Sequence, residues 1–187
     1  MFKEACHSDA EQIANLVNMA YRPEPSAQGW THESDLVSGQ RTNAEQVANL
    51  IHANGTVLMA YEGNDLLGCV HVERAEPYCC IGMLATMPAL QNQGLGKKLL
   101  AAAESLAVSR FGAQGFKMSV LSSRPELLAY YVRRGYQLTG STSPYPAEAG
   151  FGQPLDANLL VLELIKHPCS HATSLTEQAQ CQHPHSS

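Results

Sequence analysis

Met87-Pro88-Ala89-Leu90-Gln91-Asn92-Gln93-Gly94-Leu95-Gly96-Lys97-Lys98 joins two segments of opposite character. Before it, Tyr78 to Met87 is a run of apolar and small side chains that reads as a central strand covered on both faces. Pro88 ends its regular pairing. After it, Leu95, Leu99, Ala103 and Leu106 recur on one face while Lys97, Lys98 and Glu104 point away, so 94–111 reads as a helix. The stretch between is a strand-to-helix connection with glycine at its corner. A helix start presents N–H groups that lack intrahelical partners, at the positive end of the macrodipole. Glycine lets a phosphate approach them, and Lys97 and Lys98 add positive charge. No third glycine follows at the dinucleotide-fold spacing. Gly94-Leu95-Gly96-Lys97 also lacks the first glycine and the Ser/Thr of a Walker loop. On spacing alone the turn is equally a phosphate site or a bare tight corner.

Working outward, residues 1–6 read as a first strand. Ser8-Asp9-Ala10-Glu11 has the form of a capping box, with Ile13, Leu16, Val17 and Ala20 following at helical spacing until Pro23 and Pro25. Thr42-Asn43-Ala44-Glu45 repeats that signal before Val47, Leu50 and Ile51. Thr56–Glu62 and Leu66–Arg74, joined by Gly63-Asn64-Asp65, read as a hairpin. Phe116–Leu121 reads as a strand. Pro125 opens a helix running to about Arg134, which Gly135 ends as a left-handed stop. Residues 140–154 read as a long Gly/Ser/Pro-rich loop and Asn158–Ile165 as a last strand. The order β-α-α-β-β-β-α-β-α-β places the chain in the α/β (α+β) class, with a mixed, mostly antiparallel central sheet flanked by helices on both faces. One domain over 1–166 is expected. The Ser-, Gln-, His- and Pro-rich stretch 167–187 is expected to be a disordered tail.

A net charge of −5 and the lack of basic clusters argue against a general nucleic-acid grip. The charge is weakly compatible with a cationic acceptor. No apolar stretch reaches membrane-spanning length, and Met1-Phe2-Lys3-Glu4 lacks the apolar core of a secretory signal, so a cytoplasmic protein is expected. The six cysteines, at 6, 69, 79, 80, 169 and 181, form no Cys-x-x-Cys pair. They read as reduced thiols, without a structural zinc pattern. No metal is expected.

The turn resembles motif A of the GNAT superfamily of N-acetyltransferases, Gln/Arg-x-x-Gly-x-Gly/Ala, at Gln91, Gly94 and Gly96. Ala129-Tyr130-Tyr131-Val132-Arg133-Arg134-Gly135-Tyr136 is similar to motif B, a helix ending in Tyr-x-x-x-Gly-Phe/Tyr. The resemblance spans roughly residues 1–166 and implies a GNAT-like acyl-CoA N-acyltransferase fold with acetyl-CoA as cosubstrate. It implies that Gln91, Asn92, Gln93, Gly94, Leu95, Gly96 and Lys97 hold the pyrophosphate. Leu84, Ala85 and Thr86 would pair with the pantetheine arm as an added strand, and a backbone N–H there would polarise the acetyl carbonyl. Tyr131, four residues before Gly135, is the implied general acid.

The base departs from familiar patterns. The two motif A strand positions where relatives carry Glu or His hold Cys80 and Gly82. Glu73 and His71 on the preceding strand are candidates, and Glu33 near Trp30 is another. Trp30 and Glu33 are expected to bind substrate, within an acceptor wall built from 29–41 and the 140–154 loop. The resemblance implies transfer of acetyl to the primary amine of a small molecule by direct attack. Acetylation of a protein N-terminus or lysine, or a non-catalytic acyl-CoA sensor, are the alternatives. A homodimer is an allowed assembly.

Overall fold

A computed structural model of the chain describes residues 1–24 and 32–168. Its elements run β1 (Phe2–Glu4), α1 (Ala10–Tyr21), β2 (Val37–Ser38), α2 (Ala44–Ala48), β3 (Gly55–Glu62), β4 (Asp65–Ala75) and β5 (Tyr78–Thr86). They continue with α3 (Leu95–Phe111), β6 (Phe116–Leu121), α4 (Pro125–Val132), β7 (Gln137–Pro144), β8 (Gln153–Pro154) and β9 (Leu160–Lys166). Seven strands form one sheet in the order β1-β3-β4-β5-β6-β9-β7, while β2 and β8 pair separately. Every pair in the large sheet is antiparallel except β5 and β6. Parallel neighbours need a crossover, and α3 supplies it.

The hydrophobic pattern sorts the helices to two faces. Ile13, Leu16, Val17 and Ala20 of α1 and Val47 of α2 bury against Val57, Met59, Cys69, Met83 and Ala85. Leu99, Leu100, Ala103 and Ala107 of α3 join Tyr131 of α4 over Leu58, Val70, Val72, Cys79 and Ile81. Strand alternation produces this division, and β5 breaks it once. Cys79 and Ile81 enter the α3 core, whereas Met83 and Ala85 enter the α1 core. The register slips opposite Val70, between the pairs Cys69↔Ala85 and His71↔Gly82, and Met83 takes φ 49°. This is a β-bulge, and it bends β5 away from β6. The two strands share only the pairs Cys79↔Phe116 and Cys80↔Lys117. Beyond Cys80 the sheet is open.

The chain departs from the sequence reading in three places. The first box closes on Cys6 and Asp9: the Asp9 carboxylate accepts from the Cys6 amide at 2.9 Å, and a short 3-10 turn precedes α1. The second is shifted by one residue, with the Asn43 side chain accepting from the Gln46 amide and the Gln46 side chain from the Asn43 amide. The first shift leaves α1 where the apolar spacing puts it, whereas α2 stops at Ala48, so Leu50 and Ile51, expected on its buried face up to an end near Asn54-Gly55, fall in the turn after it. Part of the expected 140–154 loop is strand: β7 is exposed along its whole length and pairs with β9 around an irregularity between Leu138 and Thr142. Trp30 and 169–187 lie outside the described residues. No described helix is long and apolar enough to cross a membrane.

Candidate active site

The turn after β5 is built as an anion cradle. Asn92 and Gly94 are both left-handed, at φ 67° and 83°, and the start of α3 has no side-chain cap. Its amide groups therefore remain open to a ligand. The two glycines have different reasons. A Cβ on Gly94 would meet nothing within 4 Å, so its requirement is backbone conformation. A Cβ on Gly96 would stand 3.2 Å from Tyr130 Oη, so its requirement is space. The cavity beside them, about 440 Å³, is lined by Gln91, Asn92, Gly94, Gly96, Lys97 and Thr86 among others. Lys97, Arg133 and Arg134 also line it against a single carboxylate, Glu126. That excess of positive charge and the uncapped helix start fit a pyrophosphate.

A second cavity, also about 440 Å³, opens in the gap between β5 and β6. Cys80 to Leu84 form one wall and Lys117 to Leu121 the other. Tyr21, Leu84, Leu127 and Tyr131 line both cavities and so mark where they meet. Tyr21 Oη donates to the Leu84 carbonyl at 3.0 Å. Burial, with the Glu33 carboxylate second, pushes the Tyr21 phenol up to about 12.

Tyr131 is held edge-on between Tyr130 and Tyr136, at ring-centroid distances of 5.2 and 5.8 Å. The Tyr136 amide reaches back to the Tyr131 carbonyl at 3.2 Å, and Gly135 at φ 89° makes that turn possible. Tyr131 Oη has no hydrogen-bond partner among the described residues. Burial raises its pKa above the usual tyrosine value, with the Tyr21 and Tyr130 phenols adding smaller contributions.

The expected pantetheine residues divide. Leu84 lines both cavities and Thr86 the one beside the glycine turn, while Ala85 is packed into the α1 core and pairs with Cys69. Among the expected bases, Glu73 lies outside both linings. Its side chain is 44% exposed and sits 3.7 Å from His52 Nε2. His71 lines the second cavity, and its Nε2 is buried without a partner among the described residues. Burial lowers the His71 pKa below 6.5, opposed in part by Glu73. Glu33 also lines this cavity. Its carboxylate lies 2.9 Å from Arg22 Nη1 and 3.8 Å from Arg124 Nη1, so both its oxygens are committed.

Sequence reasoning missed Leu127 and Tyr21, the latter continuing the Ile13–Val17 row at the end of α1 and packing on the same core. It also missed the bulge at Met83, for which Gly82, a lone glycine inside an apolar strand, was the available signal. Among the described residues no group of three His, Cys, Asp or Glu side chains is placed to hold a metal ion.

The model of the Acetyltransferase (GNAT) family matches residues 11–136. No curated protein sequence matches the chain significantly. Solved structures with the same fold include smu.2055 from Streptococcus mutans UA159, 17% identical, covering 89% of this chain and 98% of that one at a TM-score of 0.67. The ribosomal-protein-S18-alanine N-acetyltransferase from Escherichia coli is 13% identical, with coverage of 94% and 98% and a TM-score of 0.66. A GNAT family acetyltransferase from Elizabethkingia anophelis, solved with acetyl-CoA bound, is 16% identical, with coverage of 90% and 97% and a TM-score of 0.64. At these identities the structures speak to the fold. The family match covers both the glycine turn and the helix that carries Tyr131, and by it this chain belongs to the Acetyltransferase (GNAT) family, whose acetyl transfer depends on acetyl-CoA.

Proposed function

We propose that the protein transfers the acetyl group of acetyl-CoA to the primary amine of a small-molecule acceptor by direct attack. The observation that carries this reading is the meeting of two cavities at Tyr131 and Leu84, one beside an anion cradle and the other in the opened sheet. Bound acetyl-CoA supplies a thioester carbonyl and a thiol leaving group. The amides from Asn92 to Lys97 hold its pyrophosphate, and the unpaired edge of β5 beyond Cys80 receives the pantetheine arm. Tyr131 Oη keeps its proton through the neutral range and delivers it to the departing sulfur. Tyrosinate and thiolate suffer similar desolvation, so burial raises both and the transfer between them stays feasible.

His71 takes the amine proton in this reading. A buried imidazole with a lowered pKa is neutral at pH 7 and available as a base. The acid limb of the kcat/KM profile should then fall below pH 6.5, because His71 must protonate before activity is lost. His71→Gln should remove that limb and lower turnover by about 10²-fold. An unchanged profile in the variant would exclude His71 and return the role to water.

The glycine turn gives a separate test by calorimetry with coenzyme A. Gly96→Val presses a branched side chain onto Tyr130 and crowds the cradle. Gly94→Val forces a β-branched residue into a left-handed backbone. Losing one or two charge-assisted contacts should weaken coenzyme A by about 10- to 100-fold in each. Undiminished heat in both would remove the pyrophosphate assignment. Thiol release from acetyl-CoA across an amine panel tests the function as a whole, and cofactor binding with no turnover on any amine would refute it.

A further inference from the structure

The second cavity has an asymmetric charge pattern. Two carboxylates line it, Glu33 and Glu163, and both are already paired: Glu33 with Arg22 and Arg124, Glu163 with Lys117 at 3.3 Å. Two cations line it, Lys117 and Arg41. Arg41 has no ion pair, and its guanidinium has no hydrogen bond, among the described residues. Nothing in the described cavity is therefore left to hold an acceptor's second positive charge, whereas one guanidinium is left to hold a negative one. The cationic acceptor that the net charge allowed has no counter-charge here.

Arg41 is also held in place. Its Cζ lies 4.6 Å from the centroid of Phe151 and 5.5 Å from that of Tyr21, within cation–π range of both rings. Its backbone amide donates to Asn18 Oδ1 at 2.8 Å. The Phe151 carbonyl accepts from Tyr145 Oη at 2.8 Å and from Arg22 Nη2 at 3.4 Å, which fixes the segment carrying that ring. A guanidinium restrained by its stem and by two rings, with its donors unspent, is prepared for the planar, two-oxygen geometry of a carboxylate. Tyr21, the ring it lies over, donates its hydroxyl to Leu84 where the cavities meet. An anion on Arg41 is thus one phenol ring from the point of transfer, which suits a carboxylate close to the reacting nitrogen. Beyond it the wall offers apolar surface in Met118, Val120, Leu121, Leu127 and Val161, interrupted by Ser119 and the mutually paired Lys117 and Glu163.

We propose that the acceptor is an amino acid with an apolar side chain, its carboxylate held by Arg41 and its side chain against the β6 wall. This rests on the reading of the cavity as the acceptor site, and the test separates the two. Wild type, Arg41→Gln and Arg41→Lys are assayed with L-leucine and L-phenylalanine and with their acid-free counterparts, 3-methylbutylamine and 2-phenylethylamine. The wild type should favour the amino acids at least tenfold in kcat/KM. Arg41→Gln should erase that ratio, chiefly through KM of the amino acids, and Arg41→Lys should recover part of it. Equal use of acids and acid-free amines by the wild type, or an equal loss on both in Arg41→Gln, would overturn the proposal. Calorimetry of the acetyl-CoA-loaded protein with 3-phenylpropanoate, which carries no amine, decides the case without catalysis. Binding to wild type and its loss in Arg41→Gln supports the carboxylate site even if no amine turns over, an outcome that would sink only the enzymatic reading. No binding to the wild type, or equal binding to both, overturns the proposal.

Discussion

Tyr131→Phe should lower kcat by about 10²- to 10³-fold while the dissociation constant of coenzyme A stays within twofold. The substitution removes one oxygen and keeps the ring, so the edge-on packing against Tyr130 and Tyr136 survives. Fold and cofactor affinity therefore serve as internal controls. Because Oη has no partner among the described residues, no buried acceptor is stranded when it goes. The loss should be larger with acyl donors whose thiol is a poorer leaving group, since those need the proton more. Single-turnover thiol release, with calorimetry alongside, makes the measurement. A variant with wild-type kcat would reduce Tyr131 to a core aromatic and leave Tyr130, which lines the first cavity, as the phenol nearest the cradle.

What the sequence disclosed follows from where the physical constraint is local. The glycine turn was legible because a helix start, a left-handed residue and a bare amide are consecutive features of the chain. Tyr131 was legible because its helix carries its own proline start and glycine stop. The acceptor cavity was not legible in the same way. Arg41 acquires its setting from Phe151, 110 positions away in sequence, and Glu33 from Arg124. The Met83 bulge has one local sign, the adjacent Gly82 inside an apolar strand, but nothing in an unbranched apolar residue says that Met83 itself turns left-handed. That bulge nevertheless reverses the facing of β5 and opens the sheet, which places Leu84 at the junction. Residues 140–144, the second half of β7, read as loop because Gly140, Ser141, Thr142, Ser143 and Pro144 are turn-forming types with no apolar alternation. Its strand character comes from the edge that β9 offers and from no preference of its own.

Glu33→Ala should be the most destabilising change at the site, lowering stability by about 3 kcal/mol or more and the melting temperature by roughly 6–12 °C. Glu33 lies between Arg22 and Arg124, whose side chains are only 9% and 4% exposed. Removing the carboxylate leaves two guanidiniums facing each other in a site with little water. Arg124 keeps Glu126 at 2.6 Å, and Arg22 keeps the Phe151 carbonyl. Those contacts limit the loss without replacing the missing charge. Glu33→Gln retains shape and one acceptor oxygen, so the difference between the two variants separates lost volume from lost charge. The functional consequence should be one-sided. Arg22 ends α1, Glu33 follows the 25–31 segment, and Arg124 precedes α4, so the triad braces the acceptor wall against the helix that carries Tyr131. The pyrophosphate turn lies at the start of α3, and none of Arg22, Glu33 and Arg124 lines the cavity beside it. KM for the acceptor should therefore rise at least tenfold in Glu33→Gln, with coenzyme A affinity unchanged. If coenzyme A binding falls in step with acceptor binding, the two cavities are not separately built, and the ion triad is a brace for the whole domain.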